Sequence, residues 1–249
     1  MYQNERIDKI MDLLGKYSYV SVKFLTEELD YSTATINRDL NVMQKKGLIK
    51  RSYGGVELIE NVNVAPLPFR YHKMERIKDR LCKAAAELIS DGDTVFIDGA
   101  TTTESMGKYL SDKNDITVIT NNAALFLYLS ERKIDSVILG GRTMESPYIL
   151  GGSEVEANAL IYRADKMFFS SSGFTEWGEI HADAEYELLR RIMRSNSKEC
   201  YYLADHNKRN DDVKKVLFGF EDISGVISDH DFSEETKKKY KDTLFIYVE

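Results

Sequence analysis

The sequence predicts an α/β protein in two parts: three short helices closed by a β-hairpin, then a mostly parallel sheet with helices on both faces. Three observations carry that reading. Residues 1–60 hold three apolar stripes of helical period, followed by two short β-favouring runs around Tyr53-Gly54-Gly55. From about Tyr71 onward, β-favouring runs alternate with helical ones, the pattern of βαβ units. Between the two parts, residues 61–70 (Asn-Val-Asn-Val-Ala-Pro-Leu-Pro-Phe-Arg) hold two of the three prolines and no helical period, so they read as a stiff extended linker.

Composition narrows the function classes. The chain has 249 residues, 43% hydrophobic and 30% charged, as ordinary globular proteins do. It contains no run of 18 apolar residues and no charged-then-apolar leader, so a cytoplasmic location and no membrane contact are expected. Cys82 and Cys200 lie far apart outside any Cys/His cluster, and the four histidines are scattered, so buried reduced thiols, no metal site and no cofactor are expected. A net charge of −7 argues against a surface coated for nucleic acid. The distribution matters more: residues 1–60 carry nine basic and nine acidic residues, so the whole acidic excess lies downstream. Any contact with DNA therefore belongs to the first part.

In that part Ile7, Ile10, Met11 and Leu14 mark one face of a helix ending near Gly15. Val22, Leu25 and Leu29 mark a second, starting at about Ser21. Asp30-Tyr31 breaks it, Ser32 is a good N-cap, and a third helix runs to Gly47 with Ile36, Leu40 and Met43 inward. A tight turn before the third helix makes a helix-turn-helix. Winding that helix at about 100° per residue puts Ala34, Thr35, Arg38, Asn41 and Lys45 outward, with Asn37 at the flank. Arg and Asn are the side chains best suited to paired hydrogen bonds with base edges. Leu48 to Arg51 and Val56 to Ile59 read as the strands of a wing, with Lys50 and Arg51 suited to DNA phosphates. An ordinary packing domain with a polar face is the bland alternative.

In the second part a helix from Met74 to Ile89, with Ile77, Leu81, Ala84, Ala85 and Leu88 inward, stops at Asp91-Gly92. The run Thr94 to Ile97 reads as a strand ending in Asp98. Gly99-Ala100 then turns, and Thr101, Thr102 and Thr103 open a helix continuing towards Leu110. The first N–H groups of a helix lack internal partners and carry partial positive charge, so that junction suits an anion. A plain turn with a capping threonine is the rival reading of those residues alone. Strands follow at Ile116 to Thr120, Ser136 to Leu139, Met167 to Ser170, Tyr201 to Ala204, Val226 to Ser228 and Leu244 to Val248. Helices are expected at Asn122 to Leu129, 183–195 and 233–240. Polar or glycine residues stand at the strands' C-terminal ends, the edge where ligands bind in open α/β sheets: Asp98, Thr120-Asn121, Gly140-Gly141-Arg142, Ser171-Ser172-Gly173, Asp205 and Asp229.

The run Ser32-Thr33-Ala34-Thr35-Ile36-Asn37-Arg38-Asp39-Leu40, with Gly47-Leu48 and Tyr53-Gly54-Gly55, resembles the winged-helix signature of the DeoR family of bacterial sugar-operon repressors. Asn37 stands where the family usually has a first arginine. The Asp98 loop, Thr120-Asn121, Gly140-Gly141, Glu185 before a helix and Ala204-Asp205-His206-Asn207-Lys208 resemble the family's effector domain, with Ala100 where the family has glycine. The resemblance implies an α/β architecture: an N-terminal winged helix-turn-helix over residues 1–60, the linker 61–70, and a mostly parallel α/β sensor domain over 71–249 resembling ribose-5-phosphate isomerase.

It also implies a DNA-binding transcriptional regulator, a repressor released from its operator by a phosphorylated sugar and assembled as a dimer or tetramer. The expected DNA contacts are Ser32, Thr33, Thr35, Asn37, Arg38, Asn41, Lys50, Arg51 and Tyr53. The expected effector contacts are Asp98, Gly99, Ala100, Thr101, Thr102, Thr103, Asn121, Gly141, Arg142, Glu185, Asp205 and Lys208. Lys208 suits a phosphate or a sugar hydroxyl, while Asp98, Asp205 and Glu185 can accept hydroxyl hydrogen bonds. The rival is a sugar-phosphate isomerase or deaminase using Glu185 or Asp98 for proton transfer. An isomerase has no need of a winged helix. His181 reads as a proton carrier or as a hydrogen-bonded structural residue, and Trp177 as a ring that stacks on a ligand or as part of a lid or dimer contact.

Overall fold

The computed structural model describes residues 3–17, 19–45, 49–52, 54–58, 74–144, 148–182 and 184–249. The chain divides into two compact units, Met1–Glu75 and Arg76–Glu249. The proposed linker 61–70, Tyr53 and Gly47-Leu48 lie outside the described residues.

The first unit runs α1 (Gln3–Tyr17), β1 (Tyr19–Ser21), α2 (Val22–Leu29), α3 (Thr33–Lys45), β2 (Ile49–Ser52) and β3 (Gly55–Leu58). Local chemistry sets its boundaries. Ser21 Oγ accepts from Phe24 N at 3.0 Å and starts α2. Asp30 ends it in the left-handed region at φ 54°, and Ser32 Oγ accepts from Thr35 N at 3.2 Å to start α3. The three apolar stripes meet in one core, where Ile10, Leu14, Leu25, Ile36, Leu40 and Met43 are fully buried. The hairpin β2–β3 turns through Gly54 at φ +80° with Ser52 opposite Gly55. Its strands reach one residue nearer the turn than expected, to Ser52 and Gly55, while Leu48 and Ile59 lie outside the described residues. β1 is an addition: three residues pair antiparallel with β3, giving the order β1-β3-β2. A strand of that length has no readable period, and its existence depends on β3 offering an edge.

The second unit is built on a parallel sheet of order β14-β13-β11-β9-β4-β5-β6. Its strands are β4 (Thr94–Ile97), β5 (Thr117–Thr120), β6 (Asp135–Ile138), β9 (Ala164–Phe169), β11 (Ser197–Ala204), β13 (Gly225–Ser228) and β14 (Leu244–Tyr247). Alternation along the strands divides the core into two layers. Val95, Ile97, Phe168, Tyr201 and Leu203 pack in one with the helix Glu75–Glu87. Phe96, Met167, Phe169, Cys200 and Tyr202 pack in the other with the helix Glu187–Ser195.

Chain order fixes where a ligand can enter. β5 and β6 extend the sheet to one side of β4, whereas β9, β11, β13 and β14 extend it to the other. The loops leaving β4 and β9 therefore diverge and leave a crevice at the sheet's C-terminal edge. Two short antiparallel pairs are added there: β7 (Arg142–Thr143) with β8 (Leu150–Gly151), and β10 (Glu179–His181) with β12 (Val216–Gly219).

One expectation is corrected. The threonines open no α-helix. They form a turn, and a six-residue 3-10 helix follows at Glu104–Tyr109. Three β-branched residues and Gly107 make poor α-helix formers, and Thr103 caps nothing with its side chain. The helix-dipole argument for an anion at this loop therefore falls away.

Candidate functional site

On the first unit, α3 presents Ala34, Arg38, Asn41 and Lys45 to solvent, opposite the buried Ile36, Leu40 and Met43. The helix is held from behind by a part-buried ion pair: Arg6 of α1 donates to Asp39 through Nε at 2.8 Å and through a second nitrogen at 3.2 Å. At the N-terminal end the Ser32 and Thr35 hydroxyls lie 2.9 Å apart, and the Thr33 carbonyl accepts from Asn37 Nδ2 at 2.9 Å. In β2 the period of two puts Arg51 on the same face as the buried Ile49, and Lys50 on the other. Lys50 pairs with Glu57 at 3.4 Å on the exposed wing. Arg51, expected as a phosphate contact, turns instead to α3 and donates to Asn41 Oδ1 at 3.0 Å and to Asn37 Oδ1. Tyr53, the remaining expected contact, lies outside the described residues.

On the second unit, the β4 loop is a knot around Asp98. Ala100 N donates to Asp98 Oδ1 at 3.3 Å, and the Thr103 hydroxyl lies 3.1 Å from that oxygen and 2.8 Å from the Asp98 carbonyl. Arg190 Nε donates to Asp98 Oδ2 at 3.0 Å, with both side chains buried. Burial pushes the Asp98 carboxyl above the usual carboxylate range, opposed by the Arg190 guanidinium and the Thr103 hydroxyl. Asp98 and Thr103 thus hold the loop in shape rather than offering free groups.

Two cations reach the loop from other directions. Lys78, from the first helix of the unit, donates to Thr101 Oγ1 at 3.0 Å. Lys208 donates to Thr102 Oγ1 at 3.0 Å and to Ser170 Oγ at 2.6 Å, joining the loops after β4 and β9 across the crevice. A hydroxyl that accepts from an ammonium keeps its own hydrogen to donate, so two cations and two hydroxyls are gathered along one loop. Among the described residues the N–H groups of Gly99, Thr101 and Thr102 have no acceptor.

Beside the loop lies a small cleft lined by Asp98, Gly99, Asn121, Ile149, Tyr186, Leu189 and Arg190. Gly99 is required there: a Cβ would stand 2.7 Å from Ile149 Cγ2 and 3.1 Å from Asn121 Nδ2. Asn121 Nδ2 donates to the Leu150 carbonyl at 2.8 Å, while Asn121 Oδ1 is buried without a hydrogen-bond partner. An orphaned buried acceptor is uncommon and asks for a donor.

The remaining expected residues serve the frame or lie away from the cleft. Asp205 accepts from Asn207 N at 3.2 Å and caps the turn His206–Lys208, which carries Lys208. Gly141 sits at φ +93°, where a Cβ would stand 2.3 Å from Val155 Cγ2, so its role is backbone shape. Arg142 is exposed in β7, and Glu185 is exposed in the turn before the helix Glu187–Ser195; neither lines the cleft. His181 is buried with Nε2 2.9 Å from the Asn210 carbonyl, and Trp177 Nε1 donates to Glu179 at 2.8 Å.

Sequence reasoning missed Lys78, Ser170, Tyr186 and Arg190. Lys78 was legible in part, since it precedes Leu81 and Cys82 by three and four residues on the inward side of its helix. No group of three or more His, Cys, Asp or Glu side chains that could hold a metal occurs among the described residues.

The arrangement defines a class first: a winged helix-turn-helix unit with an exposed polar recognition helix, and an α/β unit whose crevice gathers cations and hydroxyls. The chain belongs to the DeoR family, matching the DeoR-like helix-turn-helix domain over residues 6–62 and the DeoR C terminal sensor domain over residues 73–230. It is a DNA-binding transcriptional regulator and not an enzyme. It is 32% identical to the HTH-type transcriptional repressor GlcR of Bacillus subtilis, over 84% of this chain and 81% of that protein. It is 28% identical to the HTH-type transcriptional regulator FruR of the same organism, over 100% and 99% of the two chains. Ribose 5 phosphate isomerase A from Neisseria gonorrhoeae matches at 12% identity and a TM-score of 0.39, over 53% of this chain and 52% of that one, too remote to bear on function. No helix among the described residues is long and apolar enough to cross a membrane.

Proposed function

We propose that the protein is a cytoplasmic repressor of a sugar-utilisation operon, a homo-oligomer that leaves its operator when a phosphorylated sugar binds the second unit. The observation that carries this reading is the convergence of Lys78 and Lys208 on the hydroxyls of Thr101 and Thr102. A phosphate there would accept from two ammonium groups, two hydroxyls and the loop N–H groups, and charge-assisted bonds of this kind contribute roughly 1.5–3 kcal/mol each. The Asn121 Oδ1 acceptor in the adjoining cleft suits a sugar hydroxyl as donor. One relative's name supports the choice of a sugar: a lactose phosphotransferase system repressor of Lactococcus lactis subsp. lactis, 29% identical over 84% of this chain and 84% of that one.

Thr101, Thr102, Asn121 and Lys208 are the effector residues of this reading, with Lys78 added. Asp98, Gly99, Ala100, Thr103, Gly141 and Asp205 shape the site. Oligomerisation through the second unit fits the charge balance, because residues 1–60, with nine basic and nine acidic side chains, gain too little from DNA phosphates to hold an operator alone. Release of DNA from 99% to 1% bound needs an effector preference of about 5.5 kcal/mol for the non-binding arrangement, summed over the sites of the oligomer.

The test is operator binding by fluorescence anisotropy, with a panel of sugar phosphates. The double variant Thr102→Val/Lys208→Ala keeps operator affinity near wild type and loses release by the sugar phosphate. Release by the double variant at the wild-type ligand concentration would remove the phosphate from this loop.

A further inference from the structure

Arg51 and the two asparagines of α3 form one hydrogen-bonded unit, although they come from different elements. A guanidinium has donors only, so the atom facing each of its nitrogens is an oxygen. That fixes the orientation of both carboxamides. Asn41 Oδ1 takes Arg51 at 3.0 Å, so the Asn41 NH2 group points away from the guanidinium on an exposed side chain. Asn37 is tied at both ends, its Oδ1 to Arg51 and its Nδ2 to the Thr33 carbonyl at 2.9 Å.

We infer that Arg51 is a specificity-determining residue that acts through Asn37 and Asn41, holding their carboxamide oxygens away from DNA so that neither asparagine offers an acceptor to the groove. The inference rests on α3 being the element that enters the major groove. The groups around Asn41 on that face are then the Arg38 guanidinium, the Asn41 NH2 and the Lys45 ammonium. A base edge facing Asn41 must supply acceptors. Guanine does so with N7 and O6, whereas adenine sets its N6 amino donor against the Asn41 NH2. A carboxamide that nothing holds rotates to accept from N6 and donate to N7 of adenine. Arg51 thus turns the ordinary adenine preference of an asparagine into a guanine preference, and it withdraws Asn37 from base reading.

The experiment is selection from a random duplex pool with the full-length protein, wild type against Arg51→Met, followed by the salt dependence of binding to the selected site. Wild type should favour guanine over adenine at one base pair by about tenfold, the size of one good paired base contact. R51M should bring that ratio to one or invert it, with the salt slope unchanged. Asn41→Ala should erase the preference at the same base pair, and R51M should change nothing further there in the N41A background.

An identical selected sequence with a slope shallower by about 0.9 would make Arg51 a phosphate contact and overturn the inference. If R51M does not fold, Arg51→Lys carries the same test, since one ammonium replaces the two-pronged donor. A wild-type pool that enriches no sequence overturns the reading face itself, which separates that failure from failure of the Arg51 role.

Discussion

Each unit is braced by an arginine–aspartate pair, and the two pairs serve opposite ends. Arg6–Asp39 lies behind α3, on the side away from its exposed face, with the Asp39 side chain fully buried and bonded twice to the guanidinium. It fixes a helix whose working surface is elsewhere. Arg190–Asp98 forms part of the wall of the cleft itself, within the same lining as the unpartnered Asn121 Oδ1. A pair set behind a helix, away from its exposed face, can only support. A pair at a ligand cleft supports while unliganded and can exchange partners when a ligand brings its own donors. The same chemistry is scaffold in the unit that reads DNA and a candidate switch in the unit that senses.

The largest effect expected from breaking this comparison is at Arg190. Arg190→Met strands the buried Asp98 charge and should destabilise the second unit by about 3–5 kcal/mol, as removal of one partner from a buried pair does. The only tryptophan, Trp177, belongs to that unit, so urea unfolding followed by its fluorescence reports the loss selectively. A midpoint unchanged from wild type would mean that Asp98 is carried by its other bonds alone. Arg6→Met should leave the Trp177 transition where it is and lower operator binding through a loosened α3; the reverse pattern would exchange the roles assigned to the two pairs.

A smaller effect belongs to the exposed face of α3. Arg38→Ala should cost roughly 1–3 kcal/mol at the operator and relax base preference, measured by competition between operator and random duplex. Lys50→Ala, on the wing and already paired with Glu57, should weaken all sequences alike and leave discrimination intact. Equal losses on operator and random DNA for both variants would take base reading away from α3.

The smallest effect is chemical rather than energetic. Both cysteines lie in the second unit, buried, and burial pushes both thiols well above their usual range. Thiol titration at pH 8 should find neither reactive in the native protein and both reactive in denaturant. Partial native labelling would show the second unit opening locally, most simply at Cys82, whose thiol donates to the Thr102 carbonyl at 2.8 Å behind the candidate phosphate loop.

The sequence by itself determined most of what depends on period, punctuation and capping, the threonine loop excepted. The stripes at Ile7–Leu14, Val22–Leu29 and Ile36–Met43 became the three helices because each must bury one face, and Ser21, Asp30 and Ser32 set their limits through local bonds. The seven parallel strands were legible for the same reason, as short β-favouring runs ending in polar or glycine residues. Even the inward turn of Arg51 was written in the period of β2, two residues from the buried Ile49.

What only the tertiary structure decided were the partners drawn from distant segments. Lys78 and Thr101 are 23 residues apart, Asp98 and Arg190 are 92, and Thr102 and Lys208 are 106. Nothing in a local pattern says which buried acid faces which arginine, or that the threonine loop meets two lysines instead of crowning a helix. Those pairings follow from strand order, because it is the divergence of the β4 and β9 loops that brings Ser170, Thr102 and Lys208 to one point.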